Sequence, residues 1–171
     1  MPLFKILNFG LFQAGWFAAA YWKDSSLWLM FALLGLHFLM SPSKRSDLKL
    51  LMMLLPIGLA MEVLMISLGL VSFNSSLFLP VWMIGLWCLL ILSFNHSLKW
   101  FRDIPLIFQI LMSAVAGLAS YLAATKFDAL VIGDPMIISA AIIALVWAVQ
   151  LPIMMRITKQ VNAEGVSCVD H

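Results

Sequence analysis

Six stretches of the chain, roughly residues 4–22, 26–41, 50–72, 78–98, 105–124 and 136–155, are apolar almost throughout and are separated by short polar segments. In hydrocarbon a single segment satisfies its own backbone only as a helix, and about 20 residues of helix cross the core. The pattern therefore predicts an all-α fold, a polytopic membrane protein built as a bundle of six transmembrane helices. Composition agrees: 64% of the 171 residues are hydrophobic and 11% are charged, too few polar groups to cover a soluble domain. Residues 1–156 read as one transmembrane domain, and 157–171 as a flexible polar tail. The run at 26–41 is the shortest, and a short span tilts less or thins the bilayer around it.

Orientation follows from the basic residues. With the N-terminus inside, Lys5, Lys44, Arg45, Lys49, Lys99, Arg102, Arg156 and Lys159 all fall on the cytoplasmic side, and only Lys23 and Lys126 on the other. Such a bias sets topology, so both termini are expected in the cytoplasm. A net charge of +2, segregated to membrane edges, excludes a nucleic-acid surface. Lys5 followed by an apolar run and Ala18-Ala19-Ala20 has the outline of a signal peptide. Asn8, Gln13 and Trp16 interrupt that outline, and cleavage would leave an odd number of spans. Cys88 and Cys168 lie far apart and form no CxxC or Cys/His pattern, which speaks against a disulfide framework and a structural metal.

Short connections such as Ser41-Pro42-Ser43, Asn74-Ser75-Ser76 and Gly133-Asp134-Pro135 carry turn chemistry and make successive helices antiparallel neighbours. Pro56 and Pro152 fall inside spans, where a missing N–H predicts kinks. Small residues four apart, in Gly10-Ala14-Ala18, Ser113-Gly117 and Ala140-Ala144-Ala148, predict close packing among the first, fifth and sixth spans.

Polar side chains inside the runs are few and therefore informative. Glu62 is the one acidic residue expected within a span, near mid-depth, with Gly58 and Gly69 on its helical face. Asn8, Gln13, His37, Asn95, His96, Gln109 and Gln150 all fall in the cytoplasmic half. That asymmetry predicts a pocket open to the cytoplasm with Glu62 at its floor, and argues against a symmetric pore. Asn8, Gln13, His37, Glu62, Asn95, His96 and Gln150 are the candidate ligand-binding residues. Neighbours on a helix point about 100° apart, so Asn95 and His96 are expected to aim at different places, with His96 facing the ligand. Two histidines on different helices can hold a haem, and either can join Glu62 on a catalytic metal. The spacing is diagnostic of neither, and the expectation is no cofactor, no metal and no catalytic residue. Ser93 and Ser97 beside His96 lack a nucleophile motif such as GxSxG, so hydrogen bonding to their own helix is the simpler reading.

Asn8-Phe9 with Phe12-Gln13-x-Gly15-Trp16-Phe17, His37 with Ser41-Pro42, and Leu86-Trp87 with Phe94-Asn95-His96-Ser97-Leu98-x-Trp100 make the chain resemble domain of unknown function family 2878 along nearly its whole length. The resemblance implies a bacterial inner-membrane protein and carries no reaction. The leading expectation is a non-enzymatic or accessory protein whose polar pocket binds, moves or presents a lipid-like or small amphiphilic ligand. One alternative is an intramembrane lipid-modifying enzyme using His96 or His37 with Glu62. Another is a structural subunit whose polar residues fasten it to a membrane-protein partner.

Overall fold

The computed structural model describes residues 2–167. It has six helices among these residues: α1 Pro2–Trp22, α2 Leu27–Met40, α3 Lys44–Ser67, α4 Val81–Phe94, α5 Leu106–Thr125 and α6 Met136–Ser167. Short 3₁₀ turns at Lys23–Ser26 and Lys99–Asp103 join α1 to α2 and α4 to α5. Four stretches are long and apolar enough to cross a membrane: Leu3–Met40, Lys44–Ser67, Leu106–Thr125 and Met136–Asn162. The first of these folds back on itself. Lys23 adopts a positive φ of 51° at the bend, Asn8 reaches His37, and Gly15 of α1 lies against Met30 and Leu33 of α2.

Two helices are shorter than the apolar runs that encode them. α2 and α4 have 14 residues each, about 21 Å of helix against a hydrocarbon core of about 30 Å. α4 was expected to continue to residue 98, but it stops at Phe94, and residues 95–98 form a turn closed by Leu98 N–H donating to the Ser93 carbonyl at 2.8 Å. α6 departs in the other direction. It runs well past residue 157, burying Thr158 and Val161, so the first residues of the segment expected as a flexible tail pack on the bundle; residues 168–171 lie outside the described residues.

The all-helical expectation also needs one amendment. Val71–Phe73 (β1) and Leu130–Ile132 (β2) pair antiparallel, with Ser72 opposite Val131. Apolar runs followed by tight turns at both places leave strand edges that only another strand can satisfy. Gly69, with φ of +69°, and Gly133 let the two turns approach: a Cβ on Gly133 would meet the Gly69 carbonyl oxygen.

α5 and α6 form the most extensive helix pair, with Gly117 receiving the Trp147 ring. The small residues of the first span do not bring it to that pair; α1 packs on α4 and α2, and Gly10 has nothing against it. Leu50, Leu54, Phe94, Met154 and Met155 form the main core, and Met65, Tyr121, Leu130 and Ile143 a second one under the ribbon. Trp28, Ile137, Leu3 and Val115 stand on the outer surface, an apolar exterior that only lipid or a partner suits.

Candidate functional site

Asp47 is the centre of the site, and local structure puts it there. After Ser41-Pro42-Ser43 the chain turns into α3, and the Asp47 N–H donates to the Ser43 carbonyl, setting Asp47 in the first helical turn, where a carboxylate is favoured by the helix dipole. The side chain is wholly buried. Its Oδ2 accepts from Ser41 Oγ at 2.5 Å, His37 Nε2 at 3.1 Å and His96 Nε2 at 3.0 Å. Oδ1 accepts from Asn95 Nδ2 at 2.8 Å, His96 Nε2 at 3.0 Å and Ser43 Oγ at 3.4 Å. Donors thus surround a charge that would be costly to bury alone.

Asn95 and His96 were expected to diverge by the helical angle. Both reach Asp47 because α4 has already ended, and the following turn brings consecutive side chains to one point. Phe4 covers them, its ring 4.8 Å from that of His96 and 5.6 Å from that of His37.

The tautomer of His37 follows from Asn8. The backbone N–H of Ser97 donates to Asn8 Oδ1 at 3.2 Å, and the Ser97 hydroxyl does so at 2.6 Å. Asn8 Nδ2 is therefore the donor to His37 Nδ1 at 3.3 Å, and the proton of that ring sits on Nε2, facing Asp47. His37, Asp47 and His96 offer ligand atoms within 4.8 Å of one another, near enough for a metal. A metal there would need the opposite tautomer of His37 and would break the Asn8 bond, so the residues fit a hydrogen-bonded cluster better. His96 differs from His37: its Nδ1 makes no hydrogen bond among the described residues, and its ring lines an adjoining cleft.

That cleft has a volume of about 380 Å³ and is bordered by Lys5, Lys99, Arg102, Asn95, His96 and Asn162. Asn162 Nδ2 donates to Asn95 Oδ1 at 2.7 Å, while Ser46 accepts from Asn95 at 3.1 Å and donates to Asn162 at 2.7 Å. The start of α1, the end of α2, the start of α3, the end of α4 and the late part of α6 therefore meet at one end of the bundle. Arg102 is mostly buried; its Nε has no hydrogen-bond acceptor among the described residues and forms only a long ion pair with the exposed Asp103, at 3.9 Å.

Of the residues singled out from the sequence, Asn8, His37, Asn95 and His96 come together. Glu62 does not join them. It lies deeper, accepting from Tyr121 Oη at 2.8 Å and Trp87 Nε1 at 3.2 Å, so it is not the floor of the basic-end cleft. Gln13 borders a separate lateral groove. Gln150 is buried with neither amide atom bonded among the described residues. Ser93 does bond its own helix, donating to the Leu90 carbonyl; Ser97 instead holds Asn8. Asp47, Ser41 and Asn162 were missed as site residues, and Ser97 was expected to bond its own helix. Asp47 had a signal: it continues the buried stripe Glu62, Gly58, Leu54, Leu50 toward the N-terminus at helical spacing.

Helices of this length and apolarity, closed around a buried Asp and His cluster, define the class: an α-helical membrane protein. The chain belongs to the family described as protein of unknown function (DUF2878), whose pattern matches residues 5–153, a range that holds Asp47 and the side chains that donate to it. No curated protein and no solved structure shows significant similarity to the chain.

Proposed function

We propose that this is a bacterial inner-membrane protein whose six helices span with both termini in the cytoplasm, and that its basic-end cleft holds the anionic headgroup of a lipid-like ligand. The single observation that carries the binding role is Arg102: a largely buried guanidinium whose Nε lacks an acceptor among the described residues, bordering the same cleft as Lys5 and Lys99. A guanidinium in that position is suited to a phosphate oxygen. The basic count on this side of the sequence supports a cytoplasmic cleft, where anionic lipids gather. Asp47 then serves as an anchor, fixing His96 and Asn95 along the cleft wall.

Native mass spectrometry of the protein extracted in neutral detergent tests this reading. The wild type should retain an anionic phospholipid, and Arg102→Ala with Lys99→Ala should lose it while keeping the wild-type melting temperature. Equal retention by both would overturn it. One observation favours a second reading as an acid–base enzyme: His96 is held by Asp47 through Nε2 while Nδ1 has no hydrogen bond among the described residues and its ring lines the cleft, an arrangement able to take a proton from a bound group. Headgroup release from phospholipid vesicles, abolished in His96→Ala, would establish it.

A further inference from the structure

We infer that the chamber around Glu62 is a second ligand site, independent of the basic-end cleft, which takes a quaternary ammonium group. Glu62 is fully buried, and its only hydrogen-bond partners among the described residues are Tyr121 and Trp87. No Lys, Arg or His forms an ion pair with it among the described residues. A carboxylate in that position calls for a counter-charge from outside the chain or for a proton.

The walls favour the cation. Trp16, Trp82, Trp87, Tyr121, Trp147 and Phe12 border a chamber of about 70 Å³ beside the carboxylate, several times the space one water needs. Trp87 and Trp147 lie parallel, 5.6 Å apart with 8° between planes. Aromatic faces around a carboxylate are the means by which proteins hold quaternary ammonium groups, which cannot donate a hydrogen bond and depend on the ring quadrupoles. Trp82 also keeps a buried indole N–H without a partner among the described residues, which an oxygen carried next to the ammonium would satisfy.

The chamber adjoins space for the rest of such a molecule. A groove of about 450 Å³ shares Phe12, Trp16 and Trp147 with it and extends to Phe17, Trp100 and Met112, which are exposed on the outer surface. An apolar body would lie there with its cationic head at Glu62.

The test uses tryptophan fluorescence of the full chain in neutral maltoside detergent, titrated with choline and, in parallel, with its uncharged isostere in which carbon replaces the ammonium nitrogen. Choline should give a saturable change, and the isostere should bind about tenfold more weakly or worse. Glu62→Gln, which keeps an acceptor for Tyr121, should lose that preference. No saturable change with choline, equal binding of the isostere, or an undiminished preference in a folded Glu62→Gln variant would each overturn the inference. If Glu62→Gln fails to fold, the choline and isostere comparison on the wild type decides alone. Loss of the basic-end cleft through Arg102→Ala should leave choline binding unchanged, which separates the two sites.

Discussion

Asp47 accepts from side chains of three segments: His37 on α2, Ser41 and Ser43 in the turn, and Asn95 and His96 after α4. Removing it leaves several buried donors without an acceptor, so Asp47→Ala should cost about 3–5 kcal/mol, read as a large fall in melting temperature in detergent. Asp47→Asn should not rescue it. Whichever oxygen position the amide nitrogen takes, its N–H groups face a fixed donor, His37 at one and Asn95 at the other, so the variant should melt close to Asp47→Ala. Asn8 acts one step out, and Asn8→Ala should cost about 1–3 kcal/mol by orphaning the Ser97 N–H and freeing the His37 ring. A wild-type melting temperature for Asn8→Ala would show that the chain of bonds from Ser97 to Asp47 is not a structural unit.

Among the elements, the α5 and α6 pair and the ribbon depend on close approaches that a single methyl group disturbs. A Cβ on Gly117 would stand 2.2 Å from Trp147 Cγ, so Gly117→Ala must push the helices apart at about 1–3 kcal/mol. Gly133→Ala, aimed at a backbone oxygen, should be worse, and amide exchange should rise at Leu130–Ile132. Equal exchange in the variant and the wild type would show that the ribbon tolerates the strain. These elements also show what was readable beforehand. Apolar runs and small-residue spacing located the α5 and α6 contact. They did not locate helix ends: the fourth span was carried to Leu98 across the polar Asn95-His96-Ser97, although the backbone leaves the helix at Asn95. That same boundary decided the site: the divergence expected of Asn95 and His96 assumed a helix that is not there. Asp47 escaped notice because Lys44, Arg45, Ser46, Asp47 and Lys49 read as a charged loop, whereas they are the first turns of α3. The four polar residues that do cluster were legible because each is expensive in lipid and all share one depth.

For the whole molecule, the six-span arrangement proposed above puts the ribbon end outside. Single cysteines at Lys23, Ser75 and Lys126, introduced where Cys88 and Cys168 have been replaced, should react with an impermeant reagent added from the periplasm; labelling only after the inner membrane is opened would reverse the orientation. Ser75 and Asp24 are already joined at that end, 3.1 Å apart. The order of the partners along the chain has a consequence for biosynthesis. Every group that donates to Asp47 among the described residues lies before residue 97, so in the proposed arrangement a nascent chain that has delivered four helices already carries these donors to shield that charge. Glu62 has Trp87 by then but waits for Tyr121, and Asn95 waits for Asn162. The last hairpin therefore arrives as a closing piece laid onto a subassembly whose most expensive polar group is already satisfied.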